Sequence, residues 1–167
     1  MYTANLSRWL SADGHFQDYI KKDIDPLKDF FISVQHRDDW HVPTPIPRNT
    51  LQLEFADFYD LDDEIGSPYK CITDEQARQI ASYMRTVRGK GGNLWVNCHA
   101  GISRSGAIVE IALKLGWWKD LESPLQETRY PNSMVFRKIA KYFPELHGRK
   151  GIPTFTEESM VNSRNFG

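Results

Sequence analysis

The sequence contains few cysteines, no marked excess of either charge and no long apolar run. Its 167 residues include two cysteines, Cys71 and Cys98, too few for the disulfide framework of a small secreted domain. The formal net charge of −1 argues against a broad nucleic-acid or membrane-binding surface. No uncharged apolar stretch approaches the roughly 20 residues of a membrane-spanning helix, and the N-terminal region lacks the apolar segment of a signal peptide. These absences predict a cytoplasmic protein without nucleic-acid or membrane partners.

The length and the apolar content predict a single globular domain. The sequence is 40% hydrophobic over 167 residues, which is enough to bury a sizeable core. We expect residues 1–143 to form this domain, with residues 1–28 as its least readable part. Pro144 breaks the last helical pattern, and the Gly-, Pro- and Ser-containing residues 144–167 are predicted to form a C-terminal extension. The sequence leaves the oligomeric state open.

A strand, a tight loop and a helix are predicted around Cys98. The apolar residues Leu94–Val96 follow a Gly-containing turn and predict a short strand. The apolar-dominated segment Gly106–Leu115 predicts a helix, which Gly116 would end as a C-cap residue. Cys98 and Arg104 are therefore expected in the loop that joins this strand to the N-terminus of this helix.

This loop has the features of an oxyanion site. A loop at a helix N-terminus turns backbone N–H groups toward its own centre, and the helix dipole adds positive potential there. Arg104 can close such a site with a planar, two-pronged donor. Because the same field favours the thiolate of Cys98, we expect its sulfur to attack the phosphorus of a bound phosphate monoester.

The residues Cys98-x-x-Gly101-x-Ser103-Arg104-Ser105 resemble the phosphate-binding signature of cysteine-dependent protein phosphatases, most closely that of the dual-specificity branch. The resemblance implies that Cys98 forms a phosphocysteine intermediate and that Ser105 stabilises the departing thiolate, although Ser105 can also be read simply as the helix N-cap. It implies a phosphate-binding loop made of His99, Ala100, Gly101, Ile102, Ser103 and Arg104. It also implies a phosphorylated protein or peptide substrate and no cofactor. Asn97 departs from the pattern, since the family usually has histidine there.

The second cysteine and the histidines do not predict a metal site. Cys71, His36 and His41 lack zinc-ligand spacing around Cys98. For Cys71 two interpretations stand: a small buried residue before a helix, or a partner that forms a reversible disulfide with Cys98 on oxidation.

An acidic segment after a predicted strand offers candidates for a general acid. Such an acid would protonate the leaving oxygen of the phosphate ester. The resemblance implies an aspartate just past the end of the strand Thr50–Phe55, a position that Asp57 occupies, and Asp60 is the alternative. Asp62 and Asp63 lie further along the chain from the end of the predicted strand, and all four aspartates can also be read as solvated surface charges.

The remaining patterns predict an α/β fold, with a central, mainly parallel sheet of about four to five strands flanked by helices, as in dual-specificity phosphatases. Strands are predicted at Asp29–Gln35, Thr50–Phe55 and Leu94–Val96, and helices at Thr73–Arg88, Gly106–Leu115 and Ser133–Phe143. Weaker patterns indicate a strand or turn at Asn5–Leu10, a helix at His15–Ile24, a bend at Trp117–Pro124 and a helical turn at Leu125–Tyr130. The crossover from the Thr50–Phe55 strand to the Leu94–Val96 strand should be right-handed.

Several substrate classes remain open within this resemblance. We expect a shallow pocket that admits phosphotyrosine, with phosphoserine and phosphothreonine as further substrates, because no Asn-Arg-Tyr segment is present to build a deep one. Phosphoinositide-directed relatives carry lysines in the loop, and this loop has none. An RNA 5′-phosphate is disfavoured by the near-neutral charge. A catalytically weak or inactive phosphate-binding module is the alternative of a different class.

Overall fold

A computed structural model describes residues 1–7, 24–25, 27–36, 47–121 and 129–148. Within these residues the strands are β1 (Tyr2–Ser7), β2 (Phe30–Gln35), β3 (Thr50–Glu54), β4 (Leu94–Cys98) and β5 (Lys119–Asp120). The helices are α1 (Asp74–Gly89), α2 (Arg104–Lys114) and α3 (Ser133–Ala140), with 3-10 helices at Leu61–Glu64 and Pro144–Leu146.

The described strands form one sheet in the order β3-β2-β4-β1-β5, and each pairing between neighbours is parallel. This arrangement confirms the predicted α/β fold with a central parallel sheet. β4 is the middle strand, with β1 and β2 as its neighbours. Because the strands run the same way, the loops that follow β3 and β4 leave the sheet at its carboxyl edge, where ligands bind in open α/β sheets.

The two faces of β4 pack into different hydrophobic clusters. Leu94, Val96 and Cys98 lie in the main core together with buried residues of all three helices, whereas Trp95 packs on the opposite face. This alternation follows from the two-residue period of a strand. Cys98 therefore faces the helical layer of the fold.

Local capping sets where the helices begin. Thr73 and Gln76 form a capping box at the start of α1, with Thr73 Oγ1 accepting from Gln76 N at 3.1 Å. The buried face of α1 carries its apolar residues at helical spacing: Ala77, Ile80, Ala81, Met84 and Val87. Asn132 caps α3 through a 3.0 Å bond from Val135 N to its Oδ1, as its position before Ser133 predicts.

The structure differs from the sequence prediction at several boundaries. β1 begins at Tyr2 rather than Asn5, and residues 3–6 are buried because this strand lies between β4 and β5 in the sheet. The predicted bend at Trp117–Pro124 contains the short strand β5, which extends the sheet beside β1. α2 begins two residues earlier than predicted, and α3 ends at Ala140 instead of Phe143.

Other predictions lie wholly or partly outside the described residues. The helix predicted at His15–Ile24 has only Ile24 within them, and the turn predicted at Leu125–Tyr130 has only its last two residues. The domain boundary at residue 143 stays a prediction; beyond it, Leu146 is fully buried in the main core. None of the helices in the part of the chain described here has the length and apolar character needed to cross a bilayer.

Candidate active site

The sulfur of Cys98 lies directly beside the first turn of α2. Cys98 is the last residue of β4 and is 2% exposed, and its Sγ is 3.1 Å from the hydroxyl oxygen of Ser105. Ser105 is the second residue of α2 and is fully buried. The N-cap position belongs to Ser103, so reading Ser105 as the helix N-cap is wrong. The hydroxyl of Ser105 is thus placed to hydrogen-bond the Cys98 sulfur.

Three consecutive backbone carbonyl groups of the loop accept hydrogen bonds from residues outside the loop. The bonds run from Asn5 Nδ2 to Gly101 O at 2.6 Å, from Tyr130 N to Ile102 O at 3.3 Å and from Asn132 N to Ser103 O at 3.1 Å. In a planar trans peptide, the C=O of one residue and the N–H of the next point in opposite directions. The N–H groups of Ile102, Ser103 and Arg104 are therefore directed away from these partners.

The loop presents free hydrogen-bond donors. Within the described ranges, the backbone N–H groups of Ala100 to Arg104 donate to no protein acceptor. Gly101 has φ +73°, a left-handed conformation that glycine adopts without strain. Successive N–H groups around such a turn form a concave anion-binding nest. The backbone of the predicted phosphate-binding loop, from His99 to Arg104, can therefore surround an oxyanion.

Arg104 adds a buried cation to the same loop. Its side chain is 3% exposed, and its Nη1 donates to the carbonyl oxygen of Phe55 at 2.8 Å. Its Nε is buried and finds no hydrogen-bond partner among the residues that the structure describes. A buried guanidinium N–H without an acceptor is costly, which indicates that an acceptor belongs there. An oxyanion in the loop would supply it.

Asp57 contacts the loop through its neighbour Ser103. Asp57 Oδ1 accepts hydrogen bonds from Ser103 Oγ and from Asn132 Nδ2, both at 2.8 Å. Asn132 Nδ2 is also 2.9 Å from the carbonyl oxygen of Phe58, which fastens the segment after β3 to the start of α3. Since Ser103 donates its proton to Asp57, the Tyr59 hydroxyl, 2.9 Å away, donates to Ser103. The hydrogen bonds from Ser103 and Asn132 both end on Oδ1 of Asp57. The other carboxyl oxygen, Oδ2, is therefore the one that can carry an acidic proton.

The other aspartates of this segment serve the 3-10 helix Leu61–Glu64. Asp60 is its N-cap residue, accepting from Asp62 N at 3.0 Å and sharing a capping box with Asp63. Asp63 Oδ2 in turn accepts from the backbone N–H groups of Tyr59 and Asp60. The carboxylate of Asp60 is thus engaged by its own helix, whereas that of Asp57 contacts Ser103 in the loop predicted to bind phosphate.

Cys71 is a buried thiol of a different kind. Burial, followed by the nearby Glu64 carboxylate, raises the pKa of Cys71 to about 11. Its Sγ donates to the carbonyl oxygen of Asp60 at 3.6 Å. A thiol held in its protonated form is a poor nucleophile, so the first interpretation of Cys71, as a small buried residue, fits its surroundings.

Of the two histidines considered as metal ligands, His36 and His41, the structure describes His36, which contacts an aromatic ring. The ring of His36 packs on that of Tyr69 with 4.9 Å between centroids, and His41 lies outside the described residues. The part of the chain described here contains no group of three or more histidine, cysteine or acidic side chains that could hold a metal ion.

Sequence reasoning missed the side chains that support the loop from a distance. Asn5, Arg129 and the amide group of Asn132 come from positions far from Cys98 in the chain, and their contacts depend on strand order. The cap pattern at Asn132 predicted its position but not its bond to Asp57. Asn5 lies in a segment that the sequence indicates only as a possible strand or turn, so no local pattern marked its role.

Comparison with known proteins supports the fold. No protein-family model and no curated protein matches the sequence. The structure resembles the crystal structure of human tyrosine phosphatase-like serine/threonine/tyrosine-interacting protein, with TM-score 0.50 and 17% identity over 81% of this chain and 87% of that chain. At 17% identity, this similarity is evidence for the fold alone. The chain therefore has an α/β fold of the dual-specificity phosphatase type, as the loop motif implied.

Two further solved structures are more distant. The crystal structure of Tk-PTP in the active form matches with TM-score 0.42 and 14% identity, over 92% of this chain and 85% of that chain. The structure of PTPMT1 in complex with PI(5)P matches with TM-score 0.43 and 12% identity, over 84% of this chain and 78% of that chain. Scores below 0.5 carry no conclusion about fold or ligand.

Proposed function

We propose that this protein is a cysteine-dependent phosphatase that hydrolyses phosphate monoesters on proteins, with phosphotyrosine as a substrate and phosphoserine and phosphothreonine as further ones. The observation that carries the proposal is the set of donors in the loop that follows Cys98: unpaired loop N–H groups and the buried, unpartnered Nε of Arg104. Donors of this kind stabilise the charge on the equatorial oxygens of a transferring phosphoryl group.

In the proposed first step, the Cys98 thiolate attacks phosphorus and forms a sulfur–phosphorus bond. The bond from phosphorus to the ester oxygen breaks, and that oxygen receives a proton from the carboxylic acid of Asp57. The contact of Asp57 with Ser103 supports this role, because it holds the carboxyl group against the loop that binds the phosphate. The alcohol or phenol leaves, and the phosphoryl group stays on Cys98.

In the proposed second step, water attacks the phosphorus of phosphocysteine, and Asp57 accepts a proton from this water. The sulfur–phosphorus bond breaks, inorganic phosphate forms, and Cys98 leaves as a thiolate. The hydroxyl of Ser105, 3.1 Å from Sγ, donates a hydrogen bond to that developing thiolate. This step returns both Cys98 and Asp57 to their starting protonation states.

The surroundings of the loop support a protein substrate. Two exposed tyrosines border the loop: Tyr59 through its bond to Ser103, and Tyr130 through its backbone bond to Ile102. Exposed aromatic side chains beside a phosphate site suit a phosphorylated side chain and its flanking peptide. The loop itself carries no lysine with which to bind a second phosphate.

A non-catalytic phosphate-binding module is the second candidate. It is favoured by Asn97 in place of the usual histidine and by the human fold neighbour, which is named a tyrosine phosphatase-like interacting protein. Such a module would bind an oxyanion through the same donors without turning over an ester.

Hydrolysis of p-nitrophenyl phosphate by the wild type, by Cys98→Ser and by Cys71→Ser separates the two. A phosphatase predicts turnover in the wild type and in Cys71→Ser, with none in Cys98→Ser. Cys98→Ser should still bind tungstate, because the loop N–H groups and Arg104 remain. Tungstate binding by a wild type that hydrolyses none of several phosphate monoesters would instead identify a binding module.

A further inference from the structure

We propose that Asn5 and Arg129 are positioning residues for the phosphate-binding loop, and that they act together to fix the peptide between Gly101 and Ile102. This inference rests on the proposed function, since it concerns how the oxyanion site keeps its shape. Neither residue lies in the Cys98–Ser105 motif.

Asn5 holds the loop from the neighbouring strand. Its side chain is fully buried in β1, and its Nδ2 donates to the carbonyl oxygen of Gly101 at 2.6 Å. Because the peptide is planar, fixing the Gly101 carbonyl also fixes the opposite direction of the Ile102 N–H. That N–H is one of the unpaired donors of the oxyanion site. Gly101 is the residue at φ +73°, where the backbone has most freedom to turn over.

Arg129 holds Asn5 in the orientation that this bond requires. Its Nε donates to Asn5 Oδ1 at 2.8 Å, so the amide group cannot flip without losing both bonds. Its Nη2 lies 2.8 and 2.9 Å from the two carboxylate oxygens of Asp120 in β5, and its Nη1 lies 3.7 Å from Glu110 in α2. The planar guanidinium therefore joins β1, α2 and β5 behind the loop.

The path of the Arg129 side chain depends on Gly106. A Cβ atom at position 106 would lie 2.8 Å from Arg129 Cγ, closer than atoms in contact approach. Gly106 is in the first turn of α2, directly after Arg104 and Ser105. Gly106, the residue directly after the motif, thus leaves room for the Arg129 side chain that holds Asn5.

Orientation, not added positive charge, is the role that these contacts support. The charge of Arg129 is offset by two carboxylates, Asp120 and Glu110, and the bond that reaches the loop comes from the neutral amide of Asn5. A change that removes only this donor should therefore weaken anion binding, even if the charge balance behind the loop persists.

The test compares tungstate affinity and p-nitrophenyl phosphate hydrolysis in Asn5→Asp, Arg129→Lys and the double variant. Asn5→Leu, measured beside these variants, also removes the N–H for Gly101 and adds no charge, so it should weaken tungstate as well, and wild-type affinity in folded Asn5→Leu would overturn the inference. Asn5→Asp keeps the shape and the acceptor for Arg129 but, as a carboxylate, has no N–H for Gly101. We expect its tungstate Kd to rise about tenfold, with a similar fall in kcat/KM, because a buried carbonyl loses its donor. Arg129→Lys cannot span Asn5 and Asp120 at once and should weaken tungstate about threefold.

Several controls separate positioning from general destabilisation. Arg78→Gln removes an exposed arginine paired with Glu75 on α1 and should change neither measurement. Affinities are measured well below the melting temperature of each variant, where a purely structural role would leave tungstate binding intact. In the Asn5→Asp background, Arg129→Lys should add little, since it acts through Asn5.

An unchanged tungstate Kd in folded Asn5→Asp would overturn the inference. If Asn5→Asp does not fold, the inference is tested with Arg129→Lys. A wild-type tungstate Kd in Arg129→Lys would then overturn the inference. A wild type that neither binds tungstate nor hydrolyses the ester would refute the proposed function, and with it the premise of this inference. A wild type that binds tungstate and hydrolyses the ester, with variants that do both equally well, would refute this inference but not the proposed function.

Discussion

The hydroxyl of Ser103 donates to Oδ1 of Asp57 at 2.8 Å, and this bond joins the loop between β4 and α2 to the segment that follows β3. The two residues are 46 positions apart in the chain. Ser103 occupies the N-cap position of α2 but makes no side-chain bond to a helix N–H. Its hydroxyl is used for Asp57 instead, so the carboxyl group of Asp57 is held against the loop that follows Cys98.

Asp57→Asn should slow the hydrolysis of a poor leaving group much more than that of a good one. We expect a loss of about 10²-fold or more with phenyl phosphate, because the departing oxygen then lacks its proton donor, and a small loss with p-nitrophenyl phosphate. Asp60→Asn is the matched control, since asparagine caps a helix about as well as aspartate. If Asp60→Asn shows the leaving-group dependence and Asp57→Asn does not, the role belongs to Asp60.

Ser105→Ala should slow the second chemical step more than the first. The departing Cys98 thiolate would lose its hydrogen bond from Oγ, so we expect hydrolysis of the phosphoenzyme to slow about tenfold or more. Rapid-mixing kinetics with p-nitrophenyl phosphate should then show a burst of about one p-nitrophenol per chain before the slow steady state. A variant that turns over at the wild-type rate without a burst would show that Ser105 does not assist this step.

Cys71 and Cys98 should react differently with iodoacetate. With a pKa of about 11, only about 10⁻⁴ of Cys71 is thiolate at pH 7. We expect carboxymethylation at Cys98 alone, slowed by bound tungstate. The rate at Cys71 should rise about tenfold per pH unit from pH 7, the direction that a raised pKa requires. Peptide mass mapping would contradict this if Cys71 were modified first at neutral pH.

Gly106→Ala should destabilise the protein even though alanine favours a helix. The new methyl group would meet Arg129 Cγ, and such overpacking typically costs about 1–3 kcal/mol of unfolding free energy. Gly89→Ala, at the end of α1 with nothing within 4 Å of the added Cβ, should instead stabilise by up to about 1 kcal/mol. Urea denaturation of both variants measures the contrast, and equal changes would count against the close approach of Arg129.

The strand, loop and helix around Cys98 could be predicted because their signals are local. An apolar run ends at Val96, two residues before Cys98, and turn residues precede that run. The spacing from Cys98 to Arg104 is also a short-range pattern. The same holds for α1, where the Thr73–Gln76 capping box and the apolar spacing agree. The predicted strands and helices, together with the motif, were therefore enough to predict the fold class.

The supports of the site could not be predicted because they depend on strand order. β1 was visible only as a possible strand or turn from Asn5, yet it occupies a position next to β4 and brings Asn5 to Gly101. The choice between Asp57 and Asp60 also needed coordinates, since both lie in one acidic segment. Only the structure distinguishes a carboxylate that caps the 3-10 helix from one that contacts Ser103.

The measurement that tests the central claim most directly is the location of the phosphoryl group during turnover. Ser105→Ala, mixed with a phosphotyrosyl peptide and denatured within the burst phase, should carry one phosphoryl group on Cys98 by peptide mass spectrometry. The group should be absent from Ser105→Ala/Cys98→Ser. Turnover with no phosphoryl group on Cys98, or with one on another residue, would contradict the account.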